Sequence, residues 1–511
     1  MALITSDELI ARLKKRTNMN VWFNGEKLEE PTQAPALRAS LNAIKKVYDV
    51  AQHPKLQPIL TTKSMFGDDL VHRYVAPLMS QEDAIMKARL ATVMAEIIGC
   101  CSFRCTGSEA IGGLFPFTYD LDKELGTEYH TRLKNWIRTV QDNDLCITAT
   151  LTDSKGDRHK KPHEQENETS YAKIVEKTKD GIIISGAKVN QTGLLFADEF
   201  VVVPTSAMCE EDKNYAFSCA IPANTEGLVY VLGRTPQDLR LGDDAEQMLD
   251  AGKKYADHQA MVFFDRVFVP WEKVFFCGEW KLSARLMEYF TAVHRLTAGA
   301  CKSGGLTVLL GASGAAANYI GVDNASHIRS KLTDMGINAA TLYALSLTSA
   351  YEGFEHPSGA WVPNSLFAHC AKYLATRFPF DACRISREII SGWGDTAPSA
   401  KDLHNKDIGE ILEKYFSPAA RKDRSAEDRL RIIRLIEHMT RGSNWTAMAL
   451  HGGGNQEAAK LMATRHMDWG KLVEIAEAAC GVKESDEKAL DLIAERQGKI
   501  DAGKKVFGLE D

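Results

Sequence analysis

The run MVFFDRVFVPWEKVFF, Met261 to Phe276, decides the fold. It is dense in β-branched and aromatic residues and is broken by Pro270 before a helical period can establish itself. Five earlier runs share its character: CITATLT from Cys146, KIVEK from Lys173, GIIISGAKV from Gly181, FVVVPTSAM from Phe200 and LVYVLG from Leu228. Turn residues such as Lys179-Asp180-Gly181 separate them, so the middle third reads as a mainly antiparallel β domain. On either side the apolar period lengthens to 3.6 residues. Ala84 to Gly99 (AIMKARLATVMAEIIG) shows it before the β runs, and Ala284 to Ala292, Leu306 to Tyr319, His327 to Tyr351 and Leu430 to Ala449 show it after them. The expected class is α+β: an N-terminal helical domain over 1–144, a β domain over 145–280, and a C-terminal helical bundle over 281–511. The charged tail Ser485 to Lys505 reads as a solvated terminal helix.

With 511 residues, 44% hydrophobic and 25% charged, the chain can bury a large core. Its 62 basic and 68 acidic residues leave a net charge of −6, which gives no general attraction to nucleic acid or to an anionic membrane. The start, MALITSDELIARLKKRTN, is polar and amphipathic, so no signal peptide or membrane span is expected and a cytoplasmic location is. In a reducing compartment the eleven cysteines are read as buried small side chains or metal ligands rather than as disulfides.

Four residues stand out as a donor set: Cys101 and Cys105, four apart, and His294 and Cys301, seven apart. On a helix either spacing places both members on one face, so two segments can close a single site. Three soft thiols and an imidazole suit iron–sulfur or zinc. The separation of the two pairs departs from compact zinc motifs, and a Cys-x3-Cys pair on an apolar helix is equally explained by packing. No G-x-G-x-x-G or G-x-x-x-x-G-K-[ST] loop is present. His451-Gly452-Gly453-Gly454 looks like an oxyanion-hole loop but has no G-x-S-x-G partner, and is read as a helix-ending turn.

CSFRC (Cys101, Cys105) and HRLTAGACK (His294, Cys301, Lys302) resemble the segments with which 4-hydroxybutyryl-CoA dehydratases hold a [4Fe-4S] cluster. Further similar segments are TTKSMFGDDLVHR, QDNDLCITATLTDSKGDR, KDGIIISGAKVNQTG, FFDRVFVPWEKVFFCGE, ASHIRSKLTDM and TRFPFDACR. The resemblance implies an acyl-CoA-dehydrogenase-like fold, FAD, a [4Fe-4S] cluster held by Cys101, Cys105, His294 and Cys301, an acyl-CoA substrate and a homotetramer. It implies cofactor contacts from Thr152, Asp153, Lys155, Gly156, Arg158, Lys188, Asn190, Gln191 and Thr192, and catalytic roles for His294, Lys302, Thr192 and Glu457. An isoalloxazine ring needs hydrogen-bond partners, and its pyrophosphate needs cations, which these residue types supply.

Two positions depart from the family pattern. Ala298 stands where the dehydratases carry a tyrosine, and Gln259 where they carry a glutamate; each loses a titratable group. The expected function is therefore dehydration, with or without Δ-isomerisation, of a hydroxyacyl-CoA that is 4-hydroxybutyryl-CoA or a related substrate, by a radical route in a divergent paralogue. Two alternatives stay open: a flavin-dependent aromatic monooxygenase of the 4-hydroxyphenylacetate hydroxylase type, and a non-catalytic cluster and flavin redox protein. Glu288 and Tyr289 are candidates for the lost proton transfers.

Overall fold

The structure is a computed structural model that describes residues 3–154, 156–205, 208–233, 254–440, 452–482 and 491. Its centre is a six-stranded sheet in the order Glu26–Leu28, Val21–Phe23, Leu228–Leu232, Gln259–Pro270, Gly181–Thr192, Lys173–Lys177. All neighbours are antiparallel except Val21–Phe23 with Leu228–Leu232. A second sheet of four strands runs Val274–Cys277, Phe217–Pro222, Glu199–Val202, Ile147–Thr150. The two longest strands, Gly181–Thr192 and Gln259–Pro270, pair with Gln259 opposite Thr192, which places those two side chains on the same face.

The N-terminal region is less purely helical than its sequence suggests. Val21–Phe23 and Glu26–Leu28 extend the central sheet, and Thr61–Lys63 pairs with Leu70–His72. Each of these strands has three residues, too short for a period of two to show. The remainder follows the 3.6-residue pattern: Gln81–Ile98, Cys105–Leu125 and Tyr129–Asp142 are helices.

After the sheets, Ala284 to Ala292 and Leu306 to Tyr319 prove to be the two ends of one helix, Ser283–Tyr319, 37 residues long. The intervening VHRLTAGACKSGG hides the apolar period because most of it is buried on all sides, and three of its residues are glycines. A methyl on Gly304 would run into the Thr92 carbonyl oxygen and come within 3.0 Å of Ala95 Cβ; one on Gly299 would lie 2.5 Å from Ser346 Oγ and 2.9 Å from Ala371 Cβ. These glycines let three neighbouring helices approach the long one. Around it stand Ser326–Tyr351, Ser365–Ala375, Phe378–Ile390 and Ala426–Thr440. The expected helix Leu430 to Ala449 coincides with the last of these as far as Thr440; its remainder lies outside the described residues, as does the charged tail apart from Asp491. Among the described residues no helix is long and apolar enough to cross a membrane.

Gly304→Ala tests the packing. In an exposed helix the change would gain about 1 kcal/mol; here the overlap with Thr92 reverses the sign, and chemical denaturation should record a loss of roughly 1–3 kcal/mol.

Candidate active site

The helix Gln81–Ile98 stops at Gly99, whose φ of 62° is left-handed. Cys100 to Arg104 then form a loop with Phe103 at φ 64°, and Cys105 opens the next helix. Cys101 and Cys105 are therefore not both on one helix, as their spacing suggested. Instead the loop folds Cys101 back so that its Sγ lies 4.0 Å from Cys105 Sγ, and the Phe103 N–H donates to Cys101 Sγ at 3.4 Å. Two anchors hold the loop. Arg104, fully buried, donates to Asp144 Oδ1 at 2.8 Å and to the Leu145 carbonyl at 3.0 Å, with its guanidinium 4.4 Å from the Tyr48 ring centre. Phe103 packs against Gly193, where any Cβ would lie 2.8 Å from Phe103 Cβ.

The Cys105–Leu125 helix crosses the long helix at closest range through Gly112 and Gly113. A methyl on Gly113 would stand 2.8 Å from Phe290 Cα, and one on Gly112 would stand 3.2 Å from Val293 Cγ2. That approach sets Glu109, one turn beyond Cys105, against His294: Glu109 Oε2 pairs with His294 Nδ1. Cys301 follows two turns after His294 on the same helix. Burial pushes its thiol up; Lys302 opposes the shift, while Cys105, Glu109 and Asp257 add to it. Cys101 is raised well above the ordinary thiol range by its contact with Cys105 and by burial, and the charge of Cys301 adds to the shift. The three sulfurs thus share one electrostatic neighbourhood, with Cys101 buried and Cys105 and Cys301 half-buried. All described cysteines are free thiols.

On the sheet side the Thr192 hydroxyl donates to Gln259 Oε1 at 2.9 Å, and the Gln259 amide donates to Asp257 Oδ2 at 3.1 Å. Asp257 Oδ1 is buried without a hydrogen-bond partner among the described residues. Burial raises the Asp257 carboxyl to about 6, with Lys302 acting in the opposite sense. Lys302 and Ala298 are themselves buried. Neither Glu109 nor Asp257 was singled out from sequence. A carboxylate four residues after Cys105 on an otherwise apolar helix face is the signal that marks Glu109; nothing local marks Asp257.

The residues assigned to the cofactor fall into three groups. Thr152 and Thr192 are half-buried, and Gly156, Arg158 and Asn190 are exposed, while Lys155 lies outside the described residues. Asp153, Lys188 and Gln191 are interior. Lys188 Nζ reaches Asp153 Oδ1 at 2.8 Å and the carbonyls of Leu151 and Val203 at 2.7 and 3.1 Å. Gln191 Nε2 donates to the Thr152 carbonyl at 3.3 Å. These three pin the Thr152 segment to its neighbouring strand. Glu457 is exposed and pairs with Lys460 at 3.0 Å. His451 lies outside the described residues. The Tyr289 hydroxyl is committed to Asp120 Oδ2 at 2.9 Å. Burial alone would raise Glu288, but His369 and His466, 3.8 and 3.4 Å away, hold it at about 2.

The family models described as 4-hydroxyphenylacetate 3-hydroxylase N terminal and C terminal match residues 5–276 and 283–481. The chain is 32% identical to 4-hydroxybutyryl-CoA dehydratase/vinylacetyl-CoA-Delta-isomerase of Clostridium aminobutyricum, over 94% of this chain and 100% of that one. An oxygen-tolerant archaeal 4-hydroxybutyryl-CoA dehydratase structure from N. maritimus superposes with a TM-score of 0.90 at 33% identity, covering 95% of this chain and 96% of the other. The oxygenase component of 4-hydroxyphenylacetate 3-monooxygenase, complexed with FAD, shares the fold: TM-score 0.80 at 23% identity, covering 93% and 98%.

Asp257 has a consequence for stability. Its carboxyl is raised in the folded protein from 3.8 to about 6, so the fold favours the protonated form and loses about 3 kcal/mol as pH rises through that window. Asp257→Asn should leave the melting temperature of the metal-free protein unchanged near pH 4 and raise it at pH 8, as thermal unfolding at the two pH values will read.

Proposed function

The chain belongs to the 4-hydroxyphenylacetate 3-hydroxylase family and, within it, to the 4-hydroxybutyryl-CoA dehydratase/vinylacetyl-CoA isomerase group, and on that premise we propose that it is a hydro-lyase acting on a hydroxyacyl-CoA. It removes water from 4-hydroxybutyryl-CoA or a related thioester, with Δ-isomerase activity as a second outcome, and uses FAD and a [4Fe-4S] cluster in a radical route.

The observation that supports this reading is that Cys101 lies against Cys105, while Cys301 is coupled electrostatically to Cys105 and to Glu109, the partner of His294. The donor chemistry fits the cluster. All three thiols are soft and free, and Cys101 and Cys301 are disfavoured as bare thiolates, so these two keep their protons until a metal displaces them. The Phe103 N–H already points at one sulfur, the kind of contact that tunes bound cluster sulfur. Asp257 Oδ1, buried and unpartnered among the described residues, fits a bound group that brings a donor. When bound, the flavin supplies a one-electron acceptor, and the iron a Lewis acid for the departing oxygen.

Released from any metal, His294 would take the proton from the acyl carbon next to the thioester through the nitrogen not held by Glu109. Lys302, buried beside Cys301, supplies positive charge to the site. Thr192 orients Gln259, and Gln259 cannot itself take a proton. On the flavin, Thr152, Gly156, Arg158, Asn190 and Thr192 offer direct contacts; Asp153, Lys188 and Gln191 keep that wall in place. Ala298 leaves roughly the volume of a phenol ring, which favours a bulkier or differently substituted acyl chain. Glu457 lies one turn from Leu461 on Gln456–Arg465, and Leu461, Trp469 and Val473 expose apolar surface. A site role for Glu457 fits association of subunits over this face, in the homotetramer expected of a cytoplasmic enzyme of this group.

Anaerobically purified protein should be brown, carry about four irons per chain, and convert a member of a hydroxyacyl-CoA panel to a product lighter by one water in mass spectrometry. Cys301→Ser should remove most of the iron and slow dehydration at least about 100-fold. A colourless protein that stays iron-free after reconstitution would sink the proposal.

A further inference from the structure

His294 has two ring nitrogens, and only one can face a metal or a substrate. Its Nδ1 is held by Glu109 Oε2, and both side chains are buried, 11% and 1% exposed. Against a carboxylate, which accepts and does not donate, a neutral imidazole in this geometry carries its proton on Nδ1 and keeps the lone pair on Nε2. Two further contacts limit rotation of the ring. Phe290, one turn earlier, stacks on it with centroids 5.3 Å apart and planes 27° apart. On another side lies Gly453, at φ 78°. A Cβ there would stand 3.0 Å from His294 Cδ2 and 3.3 Å from Nε2, so this glycine keeps the Nε2 edge clear.

Glu109 is itself fixed. It lies on the helix that Cys105 opens, and the buried Lys87 acts on it electrostatically while contacting Ser108. We propose that Glu109 is the positioning residue of His294: it locks the imidazole as the Nδ1–H tautomer and so leaves Nε2 as the nitrogen that ligates or takes a proton, with Gly453 preserving access to that edge. This rests on the reading of His294 and the three cysteines as one metal site. It also gives the glycine turn after His451 a role that its sequence did not disclose. Carboxylates behind ligating histidines act in this way, and losing one typically costs about 10- to 100-fold in metal affinity.

The test has one arm that needs no metal. In full-length, metal-free protein labelled with 15N-histidine, long-range 1H–15N spectra report the tautomer of His294, assigned by loss of its signals in His294→Asn. Wild type should show Nδ1–H; Glu109→Ala should move the ring toward Nε2–H, and Glu109→Gln, which retains an acceptor of the same shape, should hold it closer to wild type. In the second arm, iron-reconstituted Glu109→Ala should lose iron to a chelator at about 10- to 100-fold lower concentration than wild type, with Glu109→Gln between them. Nε2–H in the wild type, or variants that change neither the tautomer nor iron retention, would overturn the assignment. If wild type takes up no iron, the metal reading fails, and with it any ligating role for Nε2, whereas the spectra still decide whether Glu109 sets the ring.

Discussion

The approach of two helix backbones at Gly112 and Gly113 governs the rest of the site. With no side chain at Gly113, the Cys105–Leu125 helix comes down on Phe290 of the long helix. Only at that separation can Glu109 reach His294, since a carboxylate–imidazole hydrogen bond tolerates little extra distance. Cys105 on one helix then comes within electrostatic reach of Cys301 on the other. A bulkier residue at this crossing would separate the helices and split the donor set, because packed interiors do not deform smoothly.

Such a site concentrates groups that burial penalises. Lys87 falls to about 8 and Lys372 well below its ordinary value, in both cases because of burial, while the buried thiols rise. Cations and carboxyls offset one another locally: Lys302 acts on Asp257 and Cys301, and Glu109 on Lys87. A region this dense in perturbed groups suits chemistry that moves protons away from bulk water.

The sheets contribute position rather than charge. The register that sets Gln259 opposite Thr192 delivers both to the end of the central strand pair, and Gly193 lets that end press on Phe103 of the cysteine loop. The β domain and the cysteine loop thereby pack directly on one another. Lys188, which from its charge alone reads as a phosphate cation, is instead a clamp on Asp153 and two carbonyls.

Much of this was legible in the residues. The order of periods, helical then β then helical, follows from local patterning, and the Cys-x3-Cys and His-x6-Cys spacings, with the family resemblance, mark four candidate donors. The three-residue strands of the N-terminal region and the continuity of Ser283–Tyr319 were not, because strands that short have no period and a helix buried all round shows none. Glu109, Asp257 and Gly453 belong to the same class. Glu109 and Gly453 meet His294 from 185 and 159 residues away in the chain, and Asp257, though it pairs with Gln259 two residues on, owes its raised carboxyl to a burial that only the packed fold supplies. Residue chemistry and spacing, being local, determined which side chains are candidate metal donors; tertiary packing alone decided which nitrogen of His294 is held and which is left open, because a hydrogen bond across two helices exists only once those helices touch.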